Sequence, residues 1–247
     1  MPSVVKPFVL LLCLTGCGGG ERIEGMQLSL GLTTGRARSV PEAAGARTLV
    51  TDEGARATLS GALVTLGSVE LFKCEETGLR RWLRALSPVG TAWAHSTTNA
   101  LRLGIPHVVS LGESDGTVVA LGVLHPPPGR YCRARLTFEP ADSDAEGLGA
   151  ALQGSKPVDM LGLSLHVRGT LDDGEARDFE FETRGRSSVD VVLDGVELSE
   201  DSPRAERVFT LAWDSWLDGV GPGESPRNVD MLGNVARSAS LQPPVVP

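Results

Sequence analysis

Four histidines, His95, His107, His125 and His166, are the side chains in this 247-residue chain best suited to holding a transition metal or carrying a proton. None of them forms an HxH, HxxxH or HExxH pair, the spacings at which one strand or one helix presents two ligands together. A metal site must therefore be assembled in space. His95 in Trp93-Ala94-His95 and His125 ahead of three prolines lie in loop-prone stretches, and with His107 they are the candidate ligands. Nucleophilic hydrolysis would need a serine or cysteine with a base and an oxyanion donor, and neither a GxSxG elbow nor a reactive-cysteine signature occurs. Gly147-Leu148-Gly149 followed by Gly154 lacks the GxGxxG spacing and a preceding strand, so it is not a nucleotide loop. The chain reads as non-enzymatic.

The acidic stretches point the same way. Asp142-Ser143-Asp144-Ala145-Glu146-Gly147 places oxygens at alternate positions with glycine sixth, like the first half of an EF-hand loop. The twelfth position, where a bidentate Glu closes the calcium shell, is Gln153, and a solvated acidic turn is the better reading. Asp190, Asp194, Glu197, Glu200 and Asp201 read as polar positions on a strand and its turn.

The cysteines carry the clearest chemistry. Phe8 to Leu14 is an apolar run of seven after a short segment with one Lys, far below the ~20 residues that span a bilayer. It ends in Leu14-Thr15-Gly16-Cys17, which resembles the lipobox of bacterial lipoproteins. The resemblance implies that residues 1–16 are a signal peptide containing Cys13, and that Cys17 carries a diacylglycerol thioether, usually with an N-acyl chain. Several such chains, at ~0.8 kcal/mol per buried methylene, hold a domain on a membrane almost permanently. Gly18-Gly19-Gly20 then begins a flexible tether, 17–25. Gly rather than Asp at position 18 implies an outer-membrane address in a Gram-negative envelope. The partners expected are the membrane, through the anchor, and an envelope protein.

Cys74 and Cys132 remain, and an oxidising compartment favours one disulfide between them over two buried thiols or a metal pair. The long loop so closed is worth at most ~4 kcal/mol by chain entropy. Period two puts Cys132 inward with Ala134, Leu136 and Phe138.

The elements that must position these groups are strands. Thirty Gly and 16 Pro against 4% aromatics favour short strands and turns, and 41% hydrophobic residues suffice for a core. Net charge −8 leaves no basic field for nucleic acid. Alternation predicts strands at 26–32, around Cys132, at 161–167, 189–198 and 207–213, and residues 57–73 read as one long strand or a bent pair with Gly61 and Gly67 as bulge or bend positions. Residues 78–87 read as a short helix with Trp82 on its apolar face. Segments 107–111 and 117–124 flank Gly112 to Gly116 as a hairpin, and Asp172-Asp173-Gly174 turns into Phe179-Glu180-Phe181 as another. Asp214 is placed to cap a turn that folds Trp216 and Leu217 over the end of the body. The expected architecture is an all-β sandwich, immunoglobulin-like or related, over 26–220, with one or two short helices and a Pro-rich, frayed tail over 221–247.

The body from Arg56 to Gly219 is similar to an uncharacterised class of β-sandwich lipoproteins in LVTLGSVEL (63–71), PPPGRYCRARLTF (126–138), VDVVLDGVELSED (189–201) and WLDGV (216–220). The Pro128-Gly129-Arg130-Tyr131 corner and WLDGV also distantly resemble the MbnP-like periplasmic proteins. That likeness implies copper or another transition metal as the ion a metal-binding version would take. The chain departs from that family in lacking its Met-x-Trp-x-Trp and His-Leu-Gly-Ser stretches and its four cysteines, so no ligand carries over.

Overall fold

The computed structural model describes residues 25–37, 47–75, 99–110, 112, 114–151, 158–172 and 174–242. The leader with Cys13, the lipidation candidate Cys17, the predicted 78–87 helix with Trp82, and His95 all lie outside these residues. Among the described residues no helix is long and apolar enough to cross a membrane.

Two sheets pack face to face as an all-β sandwich. The smaller holds β1 (Gln27–Gly35), β6 (Val119–Leu124), β11 (Arg204–Ala212) and β12 (Ala239–Leu241) in the order β12-β11-β1-β6. The predicted alternation of β1 holds over Gln27–Leu30, and from Leu30 to Thr34 every residue is buried. β1 runs parallel to β11, in register from Gln27 opposite Arg204 to Gly35 opposite Ala212.

The larger sheet is organised by β3 (Arg56–Lys73), an 18-residue strand. Leu63 pairs with both Ser110 and His166, and Leu66 with both His107 and Phe138, so β3 has different neighbours along each edge. One edge takes β2 (Arg47–Val50), β5 (His107–Ser110) and β4 (Arg102–Leu103). The other takes β8 (Leu165–Asp172) along its first half and β7 (Gly129–Phe138) along its second. β9 (Ala176–Thr183) extends β8, and β10 (Ser187–Leu198) extends β7.

The main core lies between the sheets, with Tyr131, Phe138, Phe209, Trp213 and Trp216 as its largest members. A second, smaller cluster of Leu63, Val108, Ala141, Met160 and Leu163 covers part of the opposite face of β3. Residues from Ala62 to Val69 are therefore buried on both faces, and the strand reads there as continuous rather than alternating.

Four expectations are corrected. β5 and β6 do not form a hairpin: β5 joins β3 in one sheet and β6 joins β1 in the other, so the Gly-rich link between them crosses the sandwich. Cys132 does not share the inward face of Ala134, Leu136 and Phe138. The register of β7 against β3 slips between Phe72 and Lys73, and the extra residue gives the core position to Tyr131, leaving Cys132 half-buried. Asp214 does not cap the 3-10 turn Trp213–Ser215; its Oδ1 accepts from the amide of Ala37, 2.9 Å away. The stretch from 221 is no frayed tail through residue 241. It forms a 3-10 turn at Pro226–Asn228, a helix Met231–Arg237 and then β12. Asp230 caps the helix by accepting from the Gly233 amide, and Met231 and Val235 enter the core. Seven residues are too few to show helical periodicity against the Gly and Pro before them.

The predicted disulfide is present: Cys74 and Cys132 are bonded, with their Cα atoms 4.8 Å apart and a sequence separation of 58.

Candidate functional site

The β8–β9 hairpin fixes a row of polar side chains on the outer face of the larger sheet. Its register runs outward from Asp172 opposite Ala176, and by period two it sets Thr170 opposite Asp178, Arg168 opposite Glu180 and His166 opposite Glu182. The alternate residues, Leu165, Val167 and Leu171 with Phe179 and Phe181, join or pack against the main core. Gly169 permits that packing, because a Cβ there would lie 2.4 Å from the Thr58 carbonyl oxygen and 2.9 Å from the Phe179 ring.

His166 is the focus of the row. Its side chain is 3% exposed, and it pairs across β3 with Leu63, whereas the Glu180 and Glu182 side chains are 54% and 52% exposed. His166 Nε2 lies 2.9 Å from Glu180 Oε1 and 3.7 Å from Glu182 Oε1. Arg168 Nε donates to the same Glu180 oxygen at 2.7 Å. The hydrogen bond from Arg168, and then that from His166, hold the Glu180 carboxyl down at about 2, well below an ordinary Glu. The donor atoms of His166, Glu180 and Glu182 all lie within 4.8 Å of one another. Among the described residues this is the one group of three such side chains placed to share an ion.

The histidines singled out in the sequence are placed elsewhere. His107 is buried at the start of β5, its Nδ1 2.9 Å from the Ile105 carbonyl oxygen and its Nε2 3.2 Å from Glu146 Oε2. Both ring nitrogens thus have partners, and the pair closes the bridge between His107 and Glu146 that holds the 141–147 segment against β5. His125 is exposed just beyond β6. Among the described residues neither belongs to a group of three metal-ligating side chains.

The acidic segment is divided in its contacts. Asp142 and Asp144 share a hydrogen bond, which raises the Asp142 carboxyl above its ordinary range, and Glu146 turns to His107. Asp190 sits between Arg133 and Arg135 on the outer face of β7 and β10, and these contacts, the Arg135 hydrogen bond foremost, lower its pKa. It is an ion-paired surface carboxylate.

The His166 group escaped the sequence reading because its members are 14 and 16 residues apart and match no short motif. One signal was available. Once the Asp172-Asp173-Gly174 turn is recognised, counting outward from it pairs His166 with Glu182 and Arg168 with Glu180. No protein-family model, curated protein or solved structure matches the chain, so its geometry and sequence alone carry the functional reading.

Proposed function

We propose that this chain is a lipid-anchored envelope lipoprotein whose β-sandwich is a non-enzymatic binding or scaffolding module. The observation that carries this reading is Leu14-Thr15-Gly16-Cys17 directly after a seven-residue apolar run. The Cys74–Cys132 disulfide supports it, since such bonds persist in oxidising compartments such as the periplasm. Gly18 favours the outer membrane of a Gram-negative bacterium as the address. The net charge of −8 suits a body that stands off an anionic membrane on its tether.

Metabolic labelling with a palmitate analogue, followed by detergent phase partition of the full chain and of Cys17→Ala, tests this. Labelled, detergent-partitioning wild type and an unlabelled, uncleaved or soluble variant are expected. Processed Cys17→Ala that still enters the detergent phase overturns the anchor.

A further inference from the structure

We propose that His166, Glu180 and Glu182 form a binding site for a divalent transition-metal ion of the zinc class on the outer face of the larger sheet. The ligand set is one imidazole nitrogen and two carboxylate oxygens, which suits zinc and its first-row neighbours and not calcium or magnesium, whose shells are built from oxygens. Bonds of about 2.0–2.2 Å in a tetrahedral shell place donor atoms roughly 3.3–3.6 Å apart. The two distances from His166 Nε2, 2.9 and 3.7 Å, bracket that spacing. Three protein ligands leave a fourth position for water or a further ligand, and the half-exposed carboxylates put that position on the solvent side.

Preorganisation comes from the hairpin. His166 is fixed by burial and by its place between Leu63 on β3 and Glu182 on β9. Glu180 and Glu182 are forced onto one face because Phe181 between them packs toward the core. Arg168 plays a double part: its hydrogen bond orients the Glu180 carboxylate, and its positive charge opposes a dication a few ångströms away. That opposition makes the site exchangeable rather than permanent. The inference is independent of the lipid anchor, since none of its residues lies in the leader or tether.

The test is titration of the purified full chain with Zn2+ by calorimetry and chelator competition, with Co2+ absorption as the report on the ligand shell. One equivalent of Zn2+ is expected, with a Co2+ spectrum of nitrogen and oxygen ligation. Glu182→Gln should weaken binding roughly tenfold or more and His166→Gln should abolish it. Arg168→Gln should tighten it several-fold, an effect that a purely structural ion-pair row would not give. His107→Gln and His125→Gln should leave binding unchanged. If His166→Gln fails to fold, the exposed Glu182→Gln still decides the matter. Absence of binding up to about 0.1 mM Zn2+, or binding that Glu182→Gln leaves intact, overturns the site.

Discussion

The two ends of β3 are closed by different chemistry. At the Lys73 end the closure is covalent and involves only two segments: Cys74 is bonded to Cys132, its amide donates to the Arg130 carbonyl, and Tyr131 is buried with its hydroxyl donating to the Pro127 carbonyl at 2.6 Å. At the Arg56 end no covalent link is present among the described residues, and the closure gathers residues from several elements. Thr51 Oγ1 donates to the Val220 carbonyl at 2.7 Å, and the Gly219 amide donates to Asp52 Oδ1 at 2.6 Å. Beside them Trp213 donates through Nε1 to Asp115, which also pairs with Arg47, while the Arg36 guanidinium lies 4.6 Å from the indole centroid. Trp216 Nε1 donates to Ser238 Oγ, and Asn234 holds the Trp216 and Asp218 carbonyls. The first end depends on one bond and one ring. The second exists only when both sheets and the last helix are assembled.

Unequal responses follow when each end is broken. The largest is expected for Trp216→Ala, which empties a fully buried indole site and leaves Ser238 without its donor; truncation of such a ring typically costs ~3–5 kcal/mol. Equilibrium denaturation measures the loss, and a cost under ~1 kcal/mol would mean that this ring is not what closes the Arg56 end.

Cys132→Ser comes next, at about 2–4 kcal/mol for a loop of 58 residues. Because the two closures lie at opposite ends of an 18-residue strand, the double variant Trp216→Ala, Cys132→Ser should be additive to within ~0.5 kcal/mol. A larger deviation would show that the ends are coupled and dissolve the contrast. Thiol titration of the unfolded, unreduced chain should find neither Cys74 nor Cys132 reactive.

A smaller effect belongs to Tyr131, the only tyrosine in the chain, whose hydroxyl is pushed up to about 12 by burial. Its folded pKa exceeds the ordinary 10 of the unfolded chain, so its contribution is fully present below pH 10 and is lost as pH rises from 10 to about 12. Tyrosinate absorbance should appear near pH 12 in the folded protein and near pH 10 in denaturant. Tyr131→Phe should remove the step at a cost of about 1 kcal/mol. The smallest change is expected for Asp190→Asn on the outer face. Its pairs with Arg133 and Arg135 are solvent-facing, and denaturant midpoints should move by under ~1 kcal/mol.

Much of this architecture was legible. The strand over 57–73, the hairpin after Leu171 and the paired cysteines each follow from local signals: apolar residues recurring without a proline, an Asp-Asp-Gly turn and an even cysteine count. The strand predicted at 207–213 is β11 with the start of the following turn, and its alternate residues Phe209, Leu211 and Trp213 are fully buried. What failed was non-local. Period two cannot see the slip at Phe72 that exchanges Cys132 for Tyr131, because the extra residue is defined only against the partner strand. The hairpin expected from 107 to 124 has the turn chemistry of one, but each arm found a better edge in a different sheet. The His166 group is a product of register, and register becomes countable only after the hairpin is fixed.

The parallel pairing of β1 with β11 has a mechanical consequence. β1 lies between β11 and β6, with nine residues in unbroken register along β11. A force directed along the axis of β1 runs across the evenly spaced, slanted bonds of this parallel ladder. Those bonds are then loaded together in shear instead of being peeled one after another, as they would be if force opened the strands from one end. Along its own axis β1 is thus held against β11 as a unit of nine paired residues.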